Sequence, residues 1–157
     1  MASTKETSVK TVTVNRRARR EYFIDESFEA GMVLLGSEVK SLRDGRANLA
    51  DSYARIDKGE VVLVNSHISP YPAANMFNHE PTRARKLLMH KREISRLTGK
   101  VKERGLTLIP LKLYFKEGRA KVELGLARGK KLYDKRATVK EKMVRREMER
   151  SMKSRRS

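Results

Sequence analysis

Cysteine is absent from the 157 residues. Disulfides, thiolate nucleophiles and Cys-type zinc sites are therefore excluded. The three histidines, His67, His79 and His90, lack metal-ligand spacing, so no metal is expected. No apolar run approaches the roughly 20 residues that a membrane-spanning helix needs. The N-terminus shows no apolar core of a secretory signal. These absences, for which missing cysteine is only permissive, lead to the expectation of a cytoplasmic protein. Phosphate-binding loop, Gly-x-Gly-x-x-Gly fingerprint, Gly-x-Ser-x-Gly elbow and His-Glu-x-x-His are all missing. A binding protein without cofactor is expected, not an enzyme.

Acid is scarce as well. There are 19 Asp+Glu against 37 Lys+Arg, a formal net charge of +18. Residues 128–157 hold 13 basic and 4 acidic side chains, and residues 1–127 hold 24 and 15. The excess is thus shared equally between body and tail. Such charge opposes compaction unless a polyanion neutralises it. Nucleic acid is the first candidate partner and an anionic membrane the second. The tail carries Val144, Met148 and Met152 at i, i+4, i+8 but neither Trp nor Phe, which weakens the membrane reading.

The stretch Lys121–Arg136 organises the rest. Val122, Leu124 and Leu126 alternate with Lys121, Glu123 and Gly125, the period of a half-buried strand. The alternation then gives way to Arg128-Gly129-Lys130-Lys131 and beyond. A folded body meets a cationic arm there.

Taken in order, residues 1–14 read as a loose arm rich in Ser, Thr and Lys. Asn15–Arg20 holds four arginines and can form a helical turn that contacts phosphate. Tyr22–Leu35 alternates as a long strand, bent near Asp25–Ser27 or at Gly31. Glu29 either pairs with a neighbouring arginine or accepts from a base edge. Gly36–Arg43 reads as a short helix capped by Ser37, with Lys40 and Arg43 on one face. Hairpins are expected around Asp57-Lys58-Gly59-Glu60 and Lys116-Glu117-Gly118-Arg119. Residues 69–82 hold three of the four prolines and read as a loop, whose Tyr71 and Phe77 either cover a barrel end or stack on bases. Pro81–Lys86 is a second basic knot. His90–Arg104 is the best helix, with Ile94, Leu97 and Val101 on one face and Gly105 as its cap. Residues 137–157 are expected to be disordered alone and helical when bound.

About five strands with a helix between the third and fourth fit a mainly β fold. The expected architecture is an OB-fold-like antiparallel Greek-key barrel with short flanking helices and a basic tail disordered when free. An α+β sandwich is the runner-up. The expected division is a flexible arm at 1–14, a barrel at 15–128 and a tail at 129–157.

Six separated blocks carry a family resemblance: N-R-R-A-R-R-E-Y-F-I (15–24), F-E-A-G (28–31), E-V-K-S-L-R-D-G (38–45), N-L-A-D-S-Y (48–53), P-T-R-A-R-K-L-L-M (81–89) and G-K-K-L-Y-D-K-R (129–136). In this order they resemble the SmpB family of bacterial SsrA-binding proteins. The resemblance implies a monomeric barrel that binds the tRNA-like end of transfer-messenger RNA (tmRNA) and replaces the anticodon arm. It implies entry into the empty A site of stalled ribosomes, contact with small-subunit rRNA, and indirect links to elongation factor Tu and alanyl-tRNA synthetase. Asn15, Glu29, Leu88 and Lys121 match positions for tmRNA binding; Arg17, Lys40 and Arg43 are basic neighbours. Gly129, Lys130, Lys131, Tyr133, Asp134, Lys135 and Arg136 match the ribosome-facing motif, and Arg145 and Arg150 lie in the tail that becomes helical in the vacant message channel. Arg20 and Tyr133 stand where relatives carry His; the tyrosine cannot become cationic. A generic ribosomal or RNA-chaperone protein is the alternative.

Overall fold

The computed structural model describes residues 9–129 and 132–155, and of 75–77, 104, 132–139 and 153–155 the backbone alone. In chain order the elements are β1 (Val9–Val14), α1 (Arg16–Glu21), β2 (Tyr22–Met32), α2 (Gly36–Arg43), β3 (Ala47–Asn48), β4 (Tyr53–Asp57), β5 (Glu60–Val64), β6 (His67–Ile68), a 3-10 turn (Pro72–Phe77), β7 (Arg85–Leu88), α3 (Lys91–Arg104), β8 (Thr107–Lys116), β9 (Arg119–Gly129) and α4 (Leu132–Arg155). The main sheet runs β1-β8-β4-β5-β7-β2-β9, and a further β8–β9 pairing closes it into an antiparallel barrel. Closure leaves few open edges.

Both expected hairpins form as two-residue turns. Lys58 and Gly59 (φ 48° and 76°), like Glu117 and Gly118 (φ 53° and 76°), take left-handed backbone. That geometry matches the right-handed twist of the flanking strands. β9 then pairs along β2 from Tyr22↔Gly129 to Gly31↔Lys121.

Bulges decide which residues face inward. One between Ile24 and Glu26 bends β2 where a bend was expected. Another lies between Pro110 and Lys112. Each adds a residue and switches the strand's faces. Ile109, Leu111 and Ala127 consequently pack outside the barrel with Ala18 of α1, Tyr22 and Ile24. The main core lies inside, among Val61, Leu63, Leu87, Leu108, Val122, Leu124 and Leu126, with fully buried Leu97 of α3 joining it.

Three expectations change. Among the described residues nine strands form where about five were expected, because two-residue strands such as β3 and β6 are too short for alternation to reveal. Within the arm, residues 9–14 pair with β8 as strand β1, since Val and Thr favour the pleated surface and a bulge lets Val12 pack on the core; residues 1–8 lie outside the described residues. Ser37 does not cap α2. Its hydroxyl meets His79 Nδ1 at 2.8 Å, while Glu38 Oε1 accepts from the Leu35 N–H at 2.8 Å. In the tail, Leu132–Arg155 take the helical form expected of it when bound, as α4; Lys, Arg, Glu, Met and Ala are good helix formers, and Glu141 precedes Arg145 at the favourable i,i+4 spacing.

The second basic knot serves the fold. Arg85 is fully buried, and so is Glu38. Glu38 accepts from Arg85 Nε and from Arg83 Nη2, both at 2.5 Å. Arg85 Nη1 also donates to Ser66 O at 2.7 Å, and Nη2 to Pro81 O at 3.0 Å. These arginines fasten α2, the end of β5 and the 69–84 loop together. Burial pushes the Glu38 carboxyl up, but the bonds from Arg83, the Leu35 N–H and Arg85 outweigh it and hold it below the ordinary range.

Candidate nucleic-acid interface

A row of three residues crosses the outside of the barrel. Gly31 on β2 is paired with Leu88 on β7 and with Lys121 on β9. A Cβ at Gly31 would lie 3.4 Å from Leu88 Cβ and 3.8 Å from Lys121 Nζ. The missing side chain leaves a hollow with an ammonium on one wall and an exposed leucine on the other. The hollow opens into a groove of about 700 Å³ whose lining includes Phe28, Glu29, Leu88, Glu93, Arg96 and Lys121. Three of the expected RNA-binding residues, Glu29, Leu88 and Lys121, thus meet in one place.

Glu29 is held by a tyrosine instead of the arginine considered above. Tyr114 Oη donates to Glu29 Oε2 at 2.5 Å, and Lys116 Nζ lies 3.5 Å away. The Tyr114 bond, with help from the Lys116 charge and against burial, keeps the Glu29 carboxyl below its ordinary range. Burial, and then the bond to Glu29, raises the Tyr114 phenol well above its own. Glu29 therefore stays an acceptor at neutral pH. Glu123 stands directly across the sheet from Glu29 and is offset by Lys112 at 3.5 Å.

The other expected residues lie elsewhere. Asn15 is buried and works for the fold. Its Oδ1 caps α1 by accepting from the Ala18 N–H at 3.2 Å, and its Nδ2 donates to Pro110 O at 2.9 Å and Leu49 O at 3.3 Å. Arg17, on α1, pairs with Glu21 at 2.8 Å and Asp51 at 3.2 Å. These residues border a second cavity of about 290 Å³ with Tyr22 and Tyr53. Lys40 and Arg43 are exposed on α2, and Lys40 Nζ lies 5.6 Å from the centre of the Tyr71 ring.

Gly129 ends β9 opposite Tyr22. Lys130 and Lys131 lie outside the described residues. The backbone of Tyr133, Asp134, Lys135 and Arg136 forms the start of α4, and Arg145 and Arg150 are exposed farther along it. Among the described residues, no helix is long and apolar enough to cross a membrane, and no cluster of three or more His, Asp or Glu could hold a metal ion.

Gly31 was not among the expected site residues. Its signal was present: a glycine inside an otherwise regular strand often marks close approach by a ligand or another backbone.

A closed antiparallel barrel with a lysine-walled groove and a basic terminal helix belongs to the class of OB-like RNA-binding proteins. The family profile described as SmpB protein matches residues 12–154. An SsrA-binding protein of Pelotomaculum thermopropionicum is 61% identical over 148 residues, covering 94% of this chain and 97% of its own. One from Desulforudis audaxviator is 64% identical over 142 residues, covering 90% and 93%. A solved structure described as "tmRNA-SmpB: a journey to the center of the bacterial ribosome" is 55% identical, with a TM-score of 0.65, covering 76% of this chain and 85% of that one. This chain belongs to the SmpB family.

Proposed function

We propose that the chain binds the tRNA-like domain of tmRNA and brings it to the vacant A site of stalled ribosomes for trans-translation. The convergence of Glu29, Leu88 and Lys121 around Gly31 carries this reading. Lys121 attracts phosphate. Leu88 offers an apolar surface to a base or ribose. Glu29 accepts from a nucleobase N–H or a 2′-hydroxyl, the groups by which structured RNA is told apart. Asn15 contributes by fixing α1, which presents Arg17, while Lys40 and Arg43 supply further phosphate contacts.

The chain acts as a binding protein without catalysis, in the cytoplasm and as a monomer. Its body stands in for the anticodon arm. The tail, from Gly129 through Lys130, Lys131, Tyr133, Asp134, Lys135 and Arg136 to Arg145 and Arg150, lies along the empty message channel of the small subunit. Elongation factor Tu and alanyl-tRNA synthetase meet the protein through the RNA.

The test is equilibrium binding of the isolated tRNA-like domain against an unrelated folded RNA of equal size. A clear preference is expected. If about five phosphates are neutralised, log K falls with log salt at a slope near −4. Equal affinity for both RNAs would overturn the assignment.

A further inference from the structure

We propose that the outward face of α3 is a second contact surface for the same RNA, taking its sugar-phosphate backbone as it leaves the groove; this rests on the groove reading above. The helix turns Ile94, Leu97 and Val101 toward the core. Its far side, at 3.6 residues per turn, aligns Arg92, Ser95, Gly99 and Lys102. Arg92, Ser95 and Lys102 are exposed.

The cations of this helix with described side chains divide into two sets. Arg96 and Lys100 are both paired with Glu26 of β2 and anchor the helix to the barrel. Lys91, Arg92 and Lys102 have no ion pair among the described residues. The one acid on the outward side is Glu103, at its far end. The positive charge is therefore available to a polyanion.

Continuity with the groove selects the occupant. A depression of about 420 Å³ lined by His90, Arg92, Glu93 and Arg96 shares His90, Glu93 and Arg96 with the Lys121 groove. A strand leaving the groove past Arg96 meets Arg92 and then the α3 face. Gly99 sits between Arg92 and Lys102, with no atom within 4 Å of the place its Cβ would occupy. Glycine weakens a helix interior relative to longer side chains, and here it leaves the backbone open to close approach.

The test uses the full chain and the tRNA-like domain of tmRNA, with binding measured from low to moderate salt and melting measured in parallel. The pair Arg92→Gln/Lys102→Gln is expected to bind about tenfold more weakly at 0.1 M salt, with a log–log slope shallower by about 1.5. Lys58→Gln, at the β4–β5 hairpin tip, controls for net charge and is expected to leave the slope unchanged. Gly99→Gln is expected to raise the melting temperature while weakening RNA binding, a combination that a solvated helix face does not give. Slopes equal to that of Lys58→Gln, or a more stable Gly99→Gln that binds like the parent, would overturn the proposal. So would normal RNA binding combined with lost affinity for the small ribosomal subunit. If Lys121→Gln also binds normally, the groove reading fails; if Lys121→Gln weakens binding and the α3 variants do not, only the α3 surface fails.

Discussion

Replacing Glu38 by Gln tests whether the Arg83–Arg85 knot belongs to the fold or to RNA. The substitution keeps the side chain's shape and one acceptor but removes its charge. Arg85, 0% exposed, is then a buried cation without a counter-ion. Breaking such a pair costs about 3–5 kcal/mol. Arg85 keeps its bonds to Ser66 and Pro81, and Arg83 is partly solvated, so the low end, about 3 kcal/mol, is expected. Against a total stability of about 5–15 kcal/mol the variant still folds. With a urea slope of about 1.5 kcal/mol/M the unfolding midpoint falls by about 2 M. The pH dependence has a defined sign. Because the folded carboxyl sits below its ordinary range, its contribution is present above the unfolded value of about 4.3 and is lost as pH falls through the folded one. The parent's advantage over Glu38→Gln should therefore stay in full at pH 7, begin to narrow as pH falls below about 4.3, and vanish only below the folded value. Folded Glu38→Gln at low temperature should bind the tRNA-like domain like the parent. An unchanged urea midpoint, or lost RNA binding with intact stability, would refute the reasoning.

Gly31→Leu should fill the hollow between Leu88 and Lys121 and weaken RNA binding by at least about tenfold, roughly 1.4 kcal/mol, with a melt close to the parent's. Asn15→Ala should lose the α1 cap and the side-chain donor to Pro110 O, while Leu49 O keeps the Ser52 N–H and hydroxyl, a destabilisation of about 1–2 kcal/mol in a urea melt. Asn15→Asp keeps the capping oxygen but not the donor, so binding rescued by Asp and not by Ala would trace the effect to α1. Removing residues 137–157, or changing Lys135 and Arg136 to Ala, should leave most tmRNA affinity and abolish peptide tagging in a reconstituted stalled-ribosome assay; loss of both together would contradict the division between body and tail.

Periodicity made the long elements of this fold legible. The alternation in β2 and β9, the stripe on α3 and the two glycine turns depend on neighbours within a few residues, and each forms where expected. Gly105 likewise takes left-handed backbone at the end of α3. What was not legible depends on partners far along the chain. Arg83 and Arg85 look like phosphate ligands until Glu38, 45 and 47 positions away, claims them. Asn15 matches an RNA-binding position of the family, yet its side chain is committed to Pro110, 95 positions away. The outer apolar cluster under α1 requires bulges that no period-two pattern reveals. For the groove, resemblance supplied Glu29, Leu88 and Lys121, and the register through Gly31 supplies the reason that they meet.

Acids in this protein determine which cations remain for RNA. Glu38 takes Arg83 and Arg85, Glu26 takes Arg96 and Lys100, and Glu21 and Asp51 share Arg17. Most of these pairs join separate elements, so they fasten the barrel and release few counterions when RNA arrives. Lys121 and Arg92 carry no ion pair among the described residues and stand over the groove or beside it. The formal charge of +18 therefore overstates the attraction for an arbitrary polyanion. Glu29 sharpens this effect. A carboxylate kept ionised in the same groove as Lys121 repels a bare phosphate and accepts from an N–H or a 2′-hydroxyl. On the proposed reading, selectivity for a folded RNA comes from mixing an acid into the cationic groove, since lysines alone would bind every polyanion nearly alike.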